Sequence, residues 1–456
     1  MLRRGGRRGV PLPAALALAA VLAATAGCGG LSQTRLLGSG TGGALTTIGF
    51  GVQDDVAQSR VDVYRKSHPD VDLQVNEGAF DAQQFLSAVA SGRPPDLVYF
   101  EREQIGSYAH RGALQPLTRC LQRSGVQMNT FRDSAVQQVT VDGAVYAMPE
   151  FTILQALFVN DKAAADAGVA PADIDTADWD GLVALGQKMN RKDGGKLSRL
   201  GFYPKVSEYF PLWAHAAGAD LLSADGTKAD LDSDPAVQTL TRARAAYAAD
   251  GGFPVVKAFS DSWDIFGEKN QYATDQVGME IGESWYLNTL ASNSADVPVS
   301  VLPIKDRDGK TTAWAGGNAW AIPAGARHYD EACDFIATMT AADTWVAAAK
   351  VRAAARAKDK LPFTGLYTAN KVADARVFSE VYKPSGVKWI DAAVKTILAA
   401  QDAAFASPPS PAGAEVKAEW QAALGRSLLD DADPAKTLRA AQRQAQAAID
   451  STNATR

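Results

Sequence analysis

The sequence predicts an α/β fold built around a mainly parallel β-sheet with helices on both faces. The first observation is a short apolar strand at residues 45–50, followed by a helix that Asp54 or Asp55 can cap and that ends near Pro69. The second observation is that the alternation continues with a strand, a helix and a strand at residues 71–75, 85–89 and 96–100. Strands and helices that alternate at this spacing indicate a sheet covered on both sides.

Polar residues directly follow two of these predicted strands. In open α/β sheets, ligands bind beyond the carboxyl ends of the strands. Gln53 and Asp55 follow the first strand, and Glu101 follows the third. These three side chains are therefore candidate ligand contacts, and a helix cap or a surface ion pair is the alternative role for each.

The first 27 residues have the features of a bacterial export signal. Four arginines precede an apolar run at residues 14–24, which is too short to span a bilayer. The end of the segment resembles the lipobox of bacterial lipoproteins, although Thr25 stands where leucine is usual. This resemblance implies cleavage before Cys28 and lipidation of that cysteine, and a plainly secreted form is the alternative. The glycine-rich residues 28–43 are predicted to form a flexible tether.

Composition restricts the partners of the exported chain. Removal of residues 1–27 takes away four arginines and changes the formal net charge from −5 to −9. An acidic chain without clustered lysine and arginine argues against nucleic acid as a partner. With 46% hydrophobic residues overall, the remaining 429 residues can bury a large core and suggest at least two packed units.

Several longer segments occur in an order that resembles a known family. They include SGRPPDLVYF, GALQPL, DGAVYAMPEFTILQALFVNDKAAADAG, TADWDGLVALGQKM, VGMEIGESW, WAGGNAWAIPAG and a terminal helix that begins at Asp433 and Pro434. This order resembles the extracellular solute-binding proteins of carbohydrate ABC importers, the family of the maltose-binding protein. The resemblance covers nearly the whole exported chain.

The family fold implies two lobes, each a mainly parallel sheet flanked by helices, in the arrangement of type II periplasmic binding proteins. The first lobe is expected to contain residues 44–151 and 279–340, and the second lobe residues 152–278 and 341–456. Hinge strands near residues 151–153 are expected to join them. A solute bound between the lobes would stabilise their closed arrangement.

A sugar needs aromatic rings for its C–H face and carboxylates or amides for its hydroxyl groups. The resemblance implies ligand contacts at Trp285, at the end of VGMEIGESW, and at Trp314, Gly317 and Asn318 in WAGGN. Looser resemblance adds further candidates, which are Glu150 at the hinge, Tyr209, Trp213 and Trp263. One of Tyr209 and Trp213 is expected to contact ligand, and the other to lie in the core.

The implied function is that of a lipid-anchored, extracytoplasmic receptor that captures a mono- or oligosaccharide and delivers it to the permease subunits. It is expected to act as a monomer without a cofactor. Three alternatives stay open: the same fold with an amino acid, polyamine or metal chelate as solute; a secreted glycosidase that uses Glu280 and Glu283; and a scaffold lipoprotein. The four scattered histidines predict no metal site.

Two cysteines remain besides Cys28. In an oxidising compartment, such a pair suggests a disulfide bond. The family fold would place both Cys120 and Cys333 in or beside the first lobe, so a bond between them is the hypothesis and two buried free thiols are the alternative.

Overall fold

The computed structural model describes residues 43–454. The predicted signal segment 1–27, the lipidation site Cys28 and the tether up to residue 42 lie outside the described residues. The strands are β1 Leu45–Ile48, β2 Leu73–Asn76, β3 Leu97–Glu101, β4 Thr140–Val141, β5 Ala144–Val145, β6 Ala147–Pro149, β7 Gln155–Asn160, β8 Arg191–Asp193, β9 Lys196–Tyr203, β10 Val277–Glu283, β11 Val299–Leu302, β12 Ile304–Lys305, β13 Thr311–Trp314, β14 Asn318–Ala321 and β15 Ala404–Phe405.

The α-helices alternate singly with the strands from β1 to β3, and many of the later helices follow one another in runs. They are α1 Asp55–Ser67, α2 Ala82–Ala90, α3 Ile105–His110, α4 Thr118–Ser124, α5 Asp133–Val139, α6 Asp161–Asp166, α7 Trp179–Met189, α8 Val206–Ala216, α9 Asp234–Ala249, α10 Phe253–Ser260, α11 Tyr286–Asn293, α12 Tyr329–Thr340, α13 Ala342–Lys358, α14 Lys371–Arg376, α15 Lys388–Gln401, α16 Gly413–Leu429 and α17 Pro434–Ala454. None of the helices in residues 43–454 is long and apolar enough to cross a membrane.

Local sequence signals explain where the first and last helices begin. Asp54 caps α1, because its Oδ1 accepts hydrogen bonds from the backbone N–H groups of Val56 and Ala57 at 2.9 and 3.2 Å. At the other end of the chain, Asp433 Oδ1 accepts from the Lys436 N–H at 2.9 Å, and Pro434 occupies the first helical position of α17. Both helix starts agree with the sequence prediction.

Two five-stranded sheets with separate hydrophobic cores form the two lobes, which confirms the predicted two-lobed α/β fold. The first sheet has the order β2-β1-β3-β14-β6 and the second has the order β11-β7-β10-β9-β8. Both sheets are mixed rather than mainly parallel. In the first, β14 runs antiparallel to β3 and β6, and in the second β10 is parallel to β9 but antiparallel to β7. In the second sheet, β8 and β11 also pair antiparallel, with β9 and β7 respectively.

The sheet pairings also correct the expected lobe boundaries. Strands β10 and β11 pair with β7 in the second sheet, so the chain returns to the first lobe at β14 and not at residue 279. Helix α13 packs against α1, so the first lobe also continues past residue 340, and the chain returns to the second lobe before α15, which packs on β11. The sequence of a strand does not show which of the two sheets the strand joins. For this reason the lobe boundaries expected from the sequence differ from those in the structure.

The disulfide bond expected between Cys120 and Cys333 is present in the structure. The two Cα atoms lie 5.4 Å apart, and the bond joins α4 to α12 within the first lobe. Replacing both cysteines with alanine is expected to lower the free energy of unfolding by about 2–4 kcal/mol, because the cysteines are 213 positions apart and the unfolded chain without the bond gains conformational freedom. Guanidinium unfolding measures the difference, and an unchanged midpoint would contradict the expectation.

Candidate functional site

The strand ends of both sheets meet at the hinge between the lobes. Ile153 and Gly316 exchange backbone hydrogen bonds of 3.0 and 2.9 Å where the chain crosses in each direction. The Arg102 N–H donates to the Gly317 carbonyl at 2.9 Å, and the Ser284 N–H donates to the Leu154 carbonyl at 2.8 Å. These bonds place the carboxyl ends of β3 and β10 beside the crossings, so the region between the two sheet edges is the candidate ligand cleft.

Arg102 is a fully buried residue that holds the two crossings together. Its guanidinium donates to the carbonyl oxygens of Phe151 and Gly316, and its Nε donates to Gln138 Oε1 at 2.9 Å. Gln138 in turn donates to the Ala315 carbonyl at 3.2 Å. Burial lowers the pKa of Arg102 to about 10, so the side chain stays protonated at neutral pH and can serve as a hydrogen-bond donor.

Methionine in place of Arg102 is expected to lower the free energy of unfolding by about 2–4 kcal/mol, because two carbonyl groups at the hinge lose a charged donor. Urea unfolding measures this loss. Arg119→Met is the matched control, since Arg119 is exposed and pairs with Asp330 at the surface, and it should change stability by less than about 0.5 kcal/mol. Equal effects of the two substitutions would show that Arg102 does not stabilise the hinge.

Trp285 is the exposed aromatic residue at the carboxyl end of β10. Its side chain is 40% exposed, and its indole N–H donates to the Glu283 carboxylate. The ring also packs edge-to-face against Tyr286 at 5.6 Å. Burial, followed by the neighbouring Glu283 carboxylate, raises the pKa of Tyr209 above its usual value, so Tyr209 and Glu283 lie close together. The second lobe thus presents an apolar ring beside a carboxylate and a phenol at the cleft edge.

A buried polar network around Glu280 lies next to this edge of the second lobe. Glu280 lies on β10 three residues before Glu283, and its Oε2 is 2.8 Å from Lys205 Nζ. Gln271 donates to Glu280 Oε1 at 2.6 Å and accepts from the Tyr286 hydroxyl at 3.1 Å. Lys205 has a φ of 48°, an unusual backbone conformation for a non-glycine residue, at the carboxyl end of β9.

The first lobe contributes polar residues whose charges are mostly paired. Lys417 Nζ, from α16, lies 3.1 Å from both Glu101 Oε2 and Glu103 Oε2. Asp55 pairs with Arg352, and Gln53 donates to Glu77 Oε2 at 3.1 Å. Glu101 and Gln53 are solvent-exposed, so both remain available to a ligand. For Asp55, the surface ion pair foreseen as its alternative role is present.

The loop before β14 brings the backbone close to the hinge. Gly317 has a φ of 133°, and a Cβ atom at this position would lie 2.2 Å from the Phe151 carbonyl oxygen. Only glycine fits here for that reason. Asn318 begins β14 opposite Glu101 and is partly exposed. It therefore lies beside the carboxyl end of β3, where the sequence also suggests Glu101 as a ligand contact.

Four sequence candidates have buried side chains. Glu150 is fully buried and pairs with Arg60, so its carboxylate is already engaged. Trp213 lies in the second-lobe core, and its indole N–H donates to the Pro204 carbonyl at 2.8 Å. Trp263 packs edge-to-face on Tyr203, and Trp314 donates to Ser407 Oγ at 3.2 Å. The side chains of these four residues are therefore used in packing or internal bonds. The core position of Trp213 agrees with the expectation that one of Tyr209 and Trp213 lies in the core.

Several residues that the structure brings to the candidate site or its supports are not candidates from the sequence. Phe266 is exposed and lies beside Trp285. Lys205 and Lys417 pair with carboxylates at the cleft edge, and Arg102 donates hydrogen bonds to carbonyl groups at the hinge. The sequence suggests Trp263 as a ligand contact, but the exposed ring of that segment belongs to Phe266, three residues later. For Lys205, Lys417 and Arg102, the sequence contains no periodicity or motif that would identify them.

The structure gives no support to catalytic chemistry at the cleft edge. Glu280 and Glu283 are three positions apart on β10. Glu280 is also buried and paired with Lys205. Within residues 43–454, no group of three or more His, Cys, Asp and Glu side chains is arranged to hold a metal ion.

Comparison with known proteins identifies similar chains. The family model described as bacterial extracellular solute-binding protein matches residues 59–373. The arabinooligosaccharide-binding protein of Bacillus subtilis is 22% identical over 63% of this chain, and the alignment spans 66% of that protein, slightly less than two thirds.

Solved structures of similar proteins share the fold. CpMnBP1 with mannotriose bound has a TM-score of 0.71 at 22% identity, with 88% of this chain and 99% of that chain covered. A solute-binding protein of an ABC transporter from Thermotoga lettingae, bound with α-D-tagatose, has a TM-score of 0.68 at 19% identity, with 89% and 99% covered.

Proposed function

Because the chain belongs to the bacterial extracellular solute-binding protein family, we propose that it captures a carbohydrate between its two lobes for an ABC importer. The observation that carries this proposal is the exposed Trp285 ring beside Glu283 and Tyr209 at the carboxyl end of β10. An aromatic face next to hydrogen-bonding groups suits the apolar face and the hydroxyl rim of a sugar. Sugar-binding relatives support the same solute class.

The pairing of both lysines at the cleft edge favours a neutral solute over an anionic one. Lys205 is paired with Glu280, and Lys417 with Glu101 and Glu103. A receptor for an anionic solute would instead need an unpaired cation to neutralise its ligand, because burying an uncompensated charge is costly. The protein acts by binding and not by catalysis, and delivers the sugar to the permease subunits of the transporter.

A thermal-shift screen of the purified protein tests the proposal. Mono-, di- and oligosaccharides are compared with amino acids and polyamines, each at saturating concentration. A ligand at about 100 times its dissociation constant stabilises the native state by about 2.7 kcal/mol, which gives a clear shift of the melting temperature. A shift with one glycan class supports carbohydrate capture. A shift only with a charged solute, or with none of the compounds, would refute it.

We further propose that Cys28 carries a lipid anchor which keeps the monomeric receptor at the outer face of the bacterial membrane. Two or more acyl chains give stable anchoring, since each buried methylene contributes about 0.8 kcal/mol. Mass spectrometry of the membrane-extracted protein should find a processed, acylated N-terminus at Cys28. An unmodified Cys28 in that sample, or release of the wild-type protein into the medium, would refute the anchor.

A further inference from the structure

Phe266 and Trp285 form an exposed pair of aromatic rings at the cleft edge. Phe266 is 64% exposed and Trp285 is 40% exposed, and they are the exposed large aromatic side chains among residues 43–454. Their ring centroids lie 5.9 Å apart, and the planes differ by only 18°. At this separation the rings are offset, so each leaves part of its face uncovered.

The loop that carries Phe266 is held in position by hydrogen bonds to neighbouring elements. Asn293, at the end of α11, donates to the Phe266 carbonyl at 2.8 Å. Asn270 donates to the Gly267 carbonyl at 3.1 Å and to Ser294 Oγ at 3.0 Å. Helix α11 begins directly after Trp285, so the same helix fixes the positions of both rings. The pair is therefore organised before any ligand binds, which limits the entropy lost on binding.

We propose that Phe266 is a second stacking position beside Trp285 and that the cleft accordingly takes an oligosaccharide of two or more units. This inference rests on the proposed carbohydrate-binding function. A monosaccharide on Trp285 would leave the Phe266 face in water, whereas the next unit of a glycan would cover it. Covering an exposed aromatic face is favourable, because apolar surface leaves water. Phe266 then acts as a determinant of chain length.

The test compares monosaccharide and oligosaccharide affinities by calorimetry. A glycan array first identifies the bound sugar series, and the monosaccharide and trisaccharide of that series are then titrated. Phe266→Ala should weaken trisaccharide binding at least tenfold and monosaccharide binding less than twofold. Phe266→Trp should restore the trisaccharide affinity, since it also provides a ring. Leu429→Ala is the control, because Leu429 is similarly exposed, at 56%, at the end of α16.

The remaining outcomes overturn the inference in distinguishable ways. Equal losses for both sugars, or no loss for either, would show that Phe266 does not select chain length. Unchanged glycan affinity with loss of uptake into cells would instead identify the ring pair as a contact for the permease. If the wild-type protein binds no glycan at all, the proposed function fails, and the inference fails with it.

Discussion

Alanine in place of Trp285 is expected to lower sugar affinity by about 100-fold, or roughly 2.7 kcal/mol, with little change in the melting temperature of the unliganded protein. The substitution removes the largest exposed apolar face at the carboxyl end of β10 and leaves the Glu283 carboxylate without its indole donor. Because the ring is 40% exposed, its loss creates no cavity in the core. Titration calorimetry with the sugar found by the screen measures the effect.

A second tryptophan provides the matched control for this prediction. Trp213 is buried in the second lobe, where it packs edge-to-face on Trp179 at 4.8 Å. Trp213→Ala should therefore lower the free energy of unfolding by about 3–5 kcal/mol through the cavity that it creates. The two substitutions thus separate binding from folding. If Trp285→Ala retained sugar affinity within twofold, Trp285 would not line the binding site.

The sequence identifies helix starts and strand ends better than it identifies burial. Asp54 and Pro434 are strong local signals, and both mark helix starts in the structure. Glu150, in contrast, stands in the hinge segment exactly as a cleft carboxylate would, yet its partner Arg60 is 90 residues away in the chain. Only the tertiary fold shows that the carboxylate is already neutralised.

The segment that contains Trp263 and Phe266 illustrates the same limit. Both rings belong to a connection between α10 and β10, where no helical or strand period indicates which side chain faces the core. Looser resemblance made Trp263 a candidate sugar contact, but Trp263 packs on Tyr203 and Phe259, and Phe266 is the exposed ring of this loop. Residue type alone therefore does not show which aromatic ring of this segment is exposed; the backbone path determines it.

Methionine in place of Arg60 is expected to lower the free energy of unfolding by about 3–5 kcal/mol, which is the usual cost of leaving a buried charge without its partner. Arg60 and Glu150 are both fully buried, and their ion pair joins α1 to the start of the hinge. The Arg60 guanidinium also lies 4.0 Å from the centre of the Trp345 ring on α13. Typical domains are stable by only about 5–15 kcal/mol, so this loss is large.

A double substitution distinguishes the unpaired charge from the lost packing. Arg60→Met combined with Glu150→Gln removes both charges, so it should destabilise the protein less than Arg60→Met alone, although it has one more substitution. Arg65→Met is the surface control, since Arg65 is exposed and lies 3.9 Å from Asp62, and its effect should stay below about 0.5 kcal/mol. If the double variant were instead less stable than Arg60→Met, the loss would come from packing against Trp345 and not from the stranded Glu150 carboxylate. Urea unfolding of the three variants, at equal pH and salt, decides between these causes.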